Sequence, residues 1–76
     1  MTVEVYGKPE CVQCEYTCKK LAENGIDYNY HDATVEPEAR QVVEASGRMQ
    51  MPFVVAGDKS WHGFSPDKIR AIATAA

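Results

Sequence analysis

Two cysteines stand three residues apart in the stretch Lys8-Pro9-Glu10-Cys11-Val12-Gln13-Cys14. That spacing supports three kinds of chemistry: half of a metal site, a structural disulfide, or a pair that cycles between dithiol and disulfide. A closed zinc site takes four ligands, usually from a second paired motif. The chain has no second C-x-x-C and no H-x-x-x-H, and Cys18 with His31 or His62 completes no zinc template by spacing. A structural disulfide suits a secreted chain with an even cysteine count, whereas this chain has three cysteines. A strand before the pair and a helix after it favour redox exchange.

The redox reading assigns different work to each sulfur. Cys11 falls at a helix N-terminus, where unpaired N–H groups and the helix dipole stabilise an anion. The thiolate is the nucleophile in disulfide exchange, and Lys8 adds a nearby positive charge while Glu10 partly opposes it. Cys14 lies one turn inside the helix, within reach of Cys11 but shielded. An exposed Cys11 thiolate would attack a partner's disulfide, and Cys14 would then resolve the mixed disulfide. Cys18 falls one turn further on the same face, either as a small apolar side chain or in an auxiliary redox role.

The flanking elements follow from periodicity. Val3, Val5 and Tyr6 form a strand ended by Gly7 and Pro9. Cys14, Cys18 and Leu21, with Thr17 beside them, share one face of a helix that starts at Cys11. Asn24-Gly25 stops that helix with a left-handed cap. Residues 26–30 alternate as a strand. Pro37 suits the first turn of a second helix whose face is Ala39, Val42, Val43 and Ser46 and whose end is Gly47. Residues 51–56 read as a proline-led buried strand, Gly57-Asp58-Lys59 as a turn, and Ser60-Trp61-His62 as the hairpin partner. Ser65 caps a last helix with Pro66 at its first position, and Ile69, Ile72, Ala73 and Ala76 form its apolar face. The first βαβ unit is parallel with a right-handed crossover, and the hairpin is antiparallel. The expected fold is one domain over residues 1–76, a mixed four-stranded sheet with helices on both faces (βαβαββα).

Composition narrows the partners. A chain of 76 residues is enough for one compact core. Its net charge is −3 and its basic residues are scattered, so it has no stripe for nucleic acid. No apolar run reaches the length of a membrane span. The first residues lack the pattern of a signal peptide, which makes the cytoplasm the expected compartment.

Pro52 is a second signal, because proline opening a buried strand removes a ladder donor. A cis Met51-Pro52 bond would turn the strand entry and leave the Met51 backbone free. Those groups could pair with an extended partner segment facing Cys11. Trp61 and Phe64 would wall that groove, or Trp61 would pack in the core instead.

With a strand, a C-x-x-C helix, a proline-led hairpin and a final helix in this order, the chain resembles the thioredoxin-fold proteins. Three stretches, residues 6–14, 49–57 and 61–69, are most similar to the NrdH-redoxins. These are small glutaredoxin-like electron donors to class Ib ribonucleotide reductase. Val12-Gln13 is that family's usual dipeptide, and Trp61-x-Gly63-Phe64-x-Pro66-Asp67 resembles its tryptophan loop. The resemblance implies that Cys11 attacks and Cys14 resolves, supported by Lys8, Pro9, Val12 and Gln13. It implies a cis Pro52 facing the cysteines, with Met51, Pro52, Trp61, Gly63 and Phe64 meeting the partner. It also implies a monomer that needs no cofactor beyond its redox-active disulfide, is reduced by thioredoxin reductase and passes electrons to class Ib ribonucleotide reductase.

Glutathione-using glutaredoxins share a C-P-Y-C site and an acidic pair at the last helix. Here Val12-Gln13 and Ser65-Pro66-Asp67 stand instead, which speaks against a glutathione pocket. Other positions depart from the NrdH pattern: Gly7 replaces a usual threonine, Glu10 a small residue, and Met51 an alanine. His62 and Ser65 replace the serine and arginine of the loop. Two alternatives remain: a glutaredoxin using glutathione or another small thiol, and a metal or iron–sulfur binding module.

Overall fold

Val3 and Val5 are buried on one side of the first strand while Glu4 and Tyr6 stand on the other, as a strand between two layers requires. In the computed structural model, which describes residues 2–75, that strand is β1 (Val3–Gly7). It is followed by α1 (Val12–Glu23), β2 (Asn29–Asp32), α2 (Pro37–Ala45), β3 (Phe53–Ala56), β4 (Lys59–His62) and α3 (Pro66–Ala75). The sheet order is β2-β1-β3-β4, with β1 parallel to β2 and the other pairs antiparallel. This is the expected thioredoxin/glutaredoxin architecture.

The two sheet faces carry separate cores. On one face Val3, Val5, Val54, Ala56 and Trp61 pack against Leu21 of α1 and against Ile69 and Ile72 of α3. On the other, Phe53 and Ala33 pack against Ala39 and Val43 of α2, with Tyr6, Met51 and Val55 at the margin. Burying one side chain the size of Leu21 contributes roughly 1.5–3 kcal/mol. The first face therefore holds most of the apolar stabilisation, and it is the face that carries α1.

Chain reversals are as local chemistry requires. Gly25, at φ 68°, ends α1, with its N–H on Ala22 O at 3.0 Å and the Ile26 N–H on Leu21 O at 2.9 Å. These are the paired bonds of a left-handed C-cap. Gly57, at φ 65°, opens the two-residue turn between β3 and β4.

Five expectations shift. The third strand, expected over residues 51–56, is Phe53–Ala56, with Met51 and Pro52 before its ladder. The second strand occupies residues 29–32 rather than 26–30, because Ile26 is spent on the α1 cap and pairing with β1 starts at Asn29 opposite Glu4. Lys59 joins β4 opposite Ala56, so the turn shortens to Gly57-Asp58. The buried stripe of α1 is Cys14, Thr17 and Leu21, and Cys18 sits half-buried at its border. In α2 the buried pair is Ala39 and Val43, while Val42 faces solvent. Ala76, expected on the α3 face, lies outside the described residues.

Candidate functional site

The chain leaves β1 at Gly7, passes Lys8 and Pro9, and turns through Glu10 at φ 55°. A glutamate in that left-handed region is uncommon, and it sets the entry to α1. Cys11 then caps the helix. Its backbone is extended (φ −117°, ψ 104°), its carbonyl accepts from the Glu15 N–H at 3.1 Å, and its Sγ accepts from the Cys14 N–H at 3.2 Å. The sulfur thus takes the place that a serine or aspartate oxygen takes at an ordinary N-cap. A negative charge developing on it meets an N–H donor and the positive end of the helix.

Cys11 and Cys14 form a disulfide, with their Cα atoms 5.2 Å apart. Cys11 is 8 % exposed and Cys14 2 %. The order of exposure is the expected one, but Cys11 is buried rather than exposed, its Sγ bonded to that of Cys14 and capping the helix. Beside the pair lies a groove of about 440 Å³ lined by Lys8, Pro9, Glu10, Cys11, Cys14, Glu15, Cys18 and Tyr30. Lys8 brings one positive charge to this groove, and Glu10 and Glu15 bring two negative ones.

Val12 and Gln13, between the cysteines, are exposed. Gln13 leads to the second half of the site. A Cβ placed on Gly63 would lie 3.4 Å from Gln13 Oε1 and 3.3 Å from Gln50 Nε2, so both amides close over that glycine. Gly63 has φ 86°, and its N–H donates to Pro52 O at 2.8 Å. The C-x-x-C turn, Pro52 and Gly63 are therefore neighbours. The Met51–Pro52 bond is cis, as read from the sequence, and Met51 lies outside the ladder, which begins at Phe53. Phe64 is exposed and packs against Tyr16 of α1, ring centroids 5.9 Å apart.

Trp61 lies elsewhere. It is 7 % exposed, belongs to the core beneath α3, and touches a separate cavity of about 540 Å³ with Lys59 and Lys68. Among the described residues its Nε1 is the one buried side-chain polar atom without a partner. Sequence reasoning offered the groove wall and the core as alternatives for this residue.

Cys18 is a free thiol on the groove wall, and burial pushes its pKa up, against a smaller opposing effect from its hydrogen bond with Tyr28. The other candidate metal ligands do not join it. His31 bonds Glu4 at 2.7 Å and stacks on Tyr6, while His62 Nε2 lies 3.0 Å from Ser46 Oγ. Tyr30, Glu15 and Gln50 were not singled out from the sequence. Tyr30 reaches the site only through the pairing of β2 with β1, opposite Val5.

The glutaredoxin family profile matches residues 3–61. The chain is 38 % identical over 72 residues to the glutaredoxin-like protein NrdH of Escherichia coli K12, covering 95 % of this chain and 89 % of that one. A solved structure of NrdH-redoxin from Escherichia coli, described as a glutaredoxin-like protein with a thioredoxin-like activity profile, superposes with a TM-score of 0.89 at 38 % identity, covering 95 % of each chain. A glutaredoxin from Archaeoglobus fulgidus superposes with a TM-score of 0.76 at 29 % identity, covering 91 % of this chain and 82 % of that one.

Proposed function

The chain belongs to the glutaredoxin family of thiol–disulfide oxidoreductases, in its NrdH-like branch, and on that premise we propose that it carries electrons from thioredoxin reductase to a disulfide in class Ib ribonucleotide reductase. The observation that carries the proposal is the Cys11–Cys14 disulfide at the N-terminus of α1, with Cys11 Sγ on the Cys14 N–H.

In the forward reaction the Cys11 thiolate attacks one sulfur of the partner's disulfide. A Cys11–partner bond forms, the partner's S–S bond breaks, and the departing sulfur takes the electron pair and a proton from solvent. Cys14 then gives its proton to solvent and attacks Cys11 Sγ as the thiolate. The internal disulfide forms, the second partner sulfur leaves as a thiolate, and the partner gains two electrons that this chain has lost. Thioredoxin reductase returns them. The cysteines themselves are the redox centre, so no cofactor is needed. Among the described residues no helix is long and apolar enough to cross a membrane, and the proposed setting is the cytoplasm.

The partner's chain runs extended past Met51, whose backbone lies outside the sheet ladder and reads no side chain. Pro52, Gly63 and Gln13 form the floor, Val12 and Phe64 supply exposed apolar surface, and Lys8 and Pro9 border the cysteine side. Trp61 supports the loop from the core. The proposed unit is a monomer of one domain.

A coupled assay following NADPH oxidation tests this directly. Thioredoxin reductase should drive fast turnover with a protein disulfide, and glutathione with its reductase should drive little. Efficient turnover with glutathione alone would favour the glutathione-dependent alternative.

A further inference from the structure

Gly7 closes β1 directly beneath the cysteine pair. Its φ is not in the left-handed region, so the backbone does not demand glycine there. The surroundings do. A Cβ on Gly7 would lie 2.6 Å from Tyr30 Oη, 3.0 Å from Tyr30 Cε1 and 3.0 Å from Cys14 Sγ. The phenolic oxygen of β2 and the sulfur of α1 thus converge on one point, which is open because residue 7 has no side chain. Tyr30 also lines the cysteine groove, and it is the one tyrosine that does.

We propose that the Tyr30 hydroxyl is the hydrogen-bond donor to Cys14 in the reduced protein, and that Gly7 is the vacancy that admits it. The inference rests on Cys14 being the resolving thiol. Once Cys11 is tied to a partner, Cys14 must lose its proton to attack Cys11 Sγ. At 2 % exposure it has little water to stabilise the resulting charge. A phenol donating to the sulfur stabilises the thiolate and lowers the pH at which resolution runs. Burial, with Cys18, Asp32 and Glu15 nearby, pushes the Tyr30 pKa up, so the hydroxyl keeps its proton and remains a donor. The other groups around Cys14 are poorly suited. Glu10 and Glu15 on the groove, and Asp32 near Tyr30, are acceptors whose charge opposes a thiolate, Cys18 is itself held as a thiol by burial, and Lys8 is exposed.

The two steps of exchange can be read separately. Reduced protein is mixed with hydroxyethyl disulfide, quenched in acid, and analysed by mass for dithiol, mixed disulfide and internal disulfide. All arms carry Cys18→Ser, so that only the two thiols report. Tyr30→Phe keeps the ring and removes the donor. Formation of the mixed disulfide should stay within about twofold, while its resolution at neutral pH should slow roughly tenfold. The pH of half-maximal resolution should rise by about one unit, with the deficit fading in alkali where Cys14 ionises unaided.

Gly7→Ala should displace the hydroxyl and slow the same step, and the double variant should be no slower than Tyr30→Phe alone. Unchanged resolution with an unchanged pH midpoint in Tyr30→Phe overturns the proposal. Equal slowing of both steps at every pH also overturns it, because that is the mark of a merely structural role. A Cys14→Ser control that still resolves the adduct would overturn the assignment of roles itself, and that failure is visible before Tyr30 is altered.

Discussion

The two faces of the sheet are closed by different means. The α1 and α3 face is closed mainly by aliphatic side chains, with Leu21, Val54 and Ile69 fully enclosed and Trp61 beside them. The α2 face has a smaller apolar core and closes its margins with polar and aromatic contacts. There His31 bonds Glu4 at 2.7 Å, lies 3.5 Å from Glu36, and stacks on Tyr6, while His62 stacks on Phe53 with ring centroids 4.5 Å apart. The thiols stand on the aliphatic face. Their helix is held chiefly by apolar packing, with Cys18 and Tyr28 at its border, and the histidines stand across the sheet. The redox pair and the His31–Glu4 contact are thereby placed on opposite sides of one layer.

The largest effect should come from the thiols themselves. Cys11→Ser should abolish turnover in the coupled assay, by at least about a thousandfold, without unfolding the chain. Cys14→Ser should instead accumulate a mixed disulfide through Cys11, visible as a mass adduct. Turnover surviving in Cys11→Ser would reverse the assigned roles.

Core truncations should rank the two faces. Leu21→Ala, on the aliphatic face, should cost about 3 kcal/mol in urea unfolding, and Val43→Ala, beneath α2, about 2 kcal/mol. An equal or reversed ranking would break the contrast between the cores.

A smaller effect should come from His31. Its pKa is raised chiefly by the hydrogen bond to Glu4, and that of Glu4 is lowered chiefly by the same bond. The histidine's contribution is complete below its unfolded value, about 6.5, and is lost as pH rises through the folded one. The glutamate's is complete above about 4.3 and is lost as pH falls through its folded value. Both hold between those limits. Stability should therefore decline as pH rises above about 6.5, by roughly 0.5–1 kcal/mol. His31→Ala should flatten that slope while leaving the exchange rates of the cysteines in place, as urea titrations at several pH values would show.

The smallest effect belongs to Cys18. Cys18→Ser should hold activity within about twofold, since burial keeps that thiol protonated. A loss beyond about tenfold in a folded protein would give it a part in exchange.

Most of this architecture was legible in local patterns. The Cys11 cap, the Gly25 stop, the odd Pro52 at a strand entry and the order of elements all depend on neighbours within a few residues. What escaped depends on distant neighbours. The alternation of Ile26-Asp27-Tyr28 places the second strand at residues 26–30, whereas Ile26 is spent on Leu21 O and the pairing starts at Asn29. Val42 and Val43 look equally apolar in sequence, and packing against Ala33 and Phe53 decides between them. Tyr30 was one aromatic in an alternating run. Its approach to Cys14 needs the pairing of β2 with β1 and the missing side chain at Gly7. The signal was present, since Gly7 stood out where threonine is usual, but its meaning lay across the sheet.

The outer strands β2 and β4 are four residues each, one ending at Asp32 and the other starting at Lys59. Shortness and border charges are how sheet proteins discourage growth from one molecule to the next. A shuttle must release every partner after a single exchange, and a long open border would instead recruit further copies strand upon strand. Both open borders of this sheet are short and carry a charge at one end, as that requirement asks.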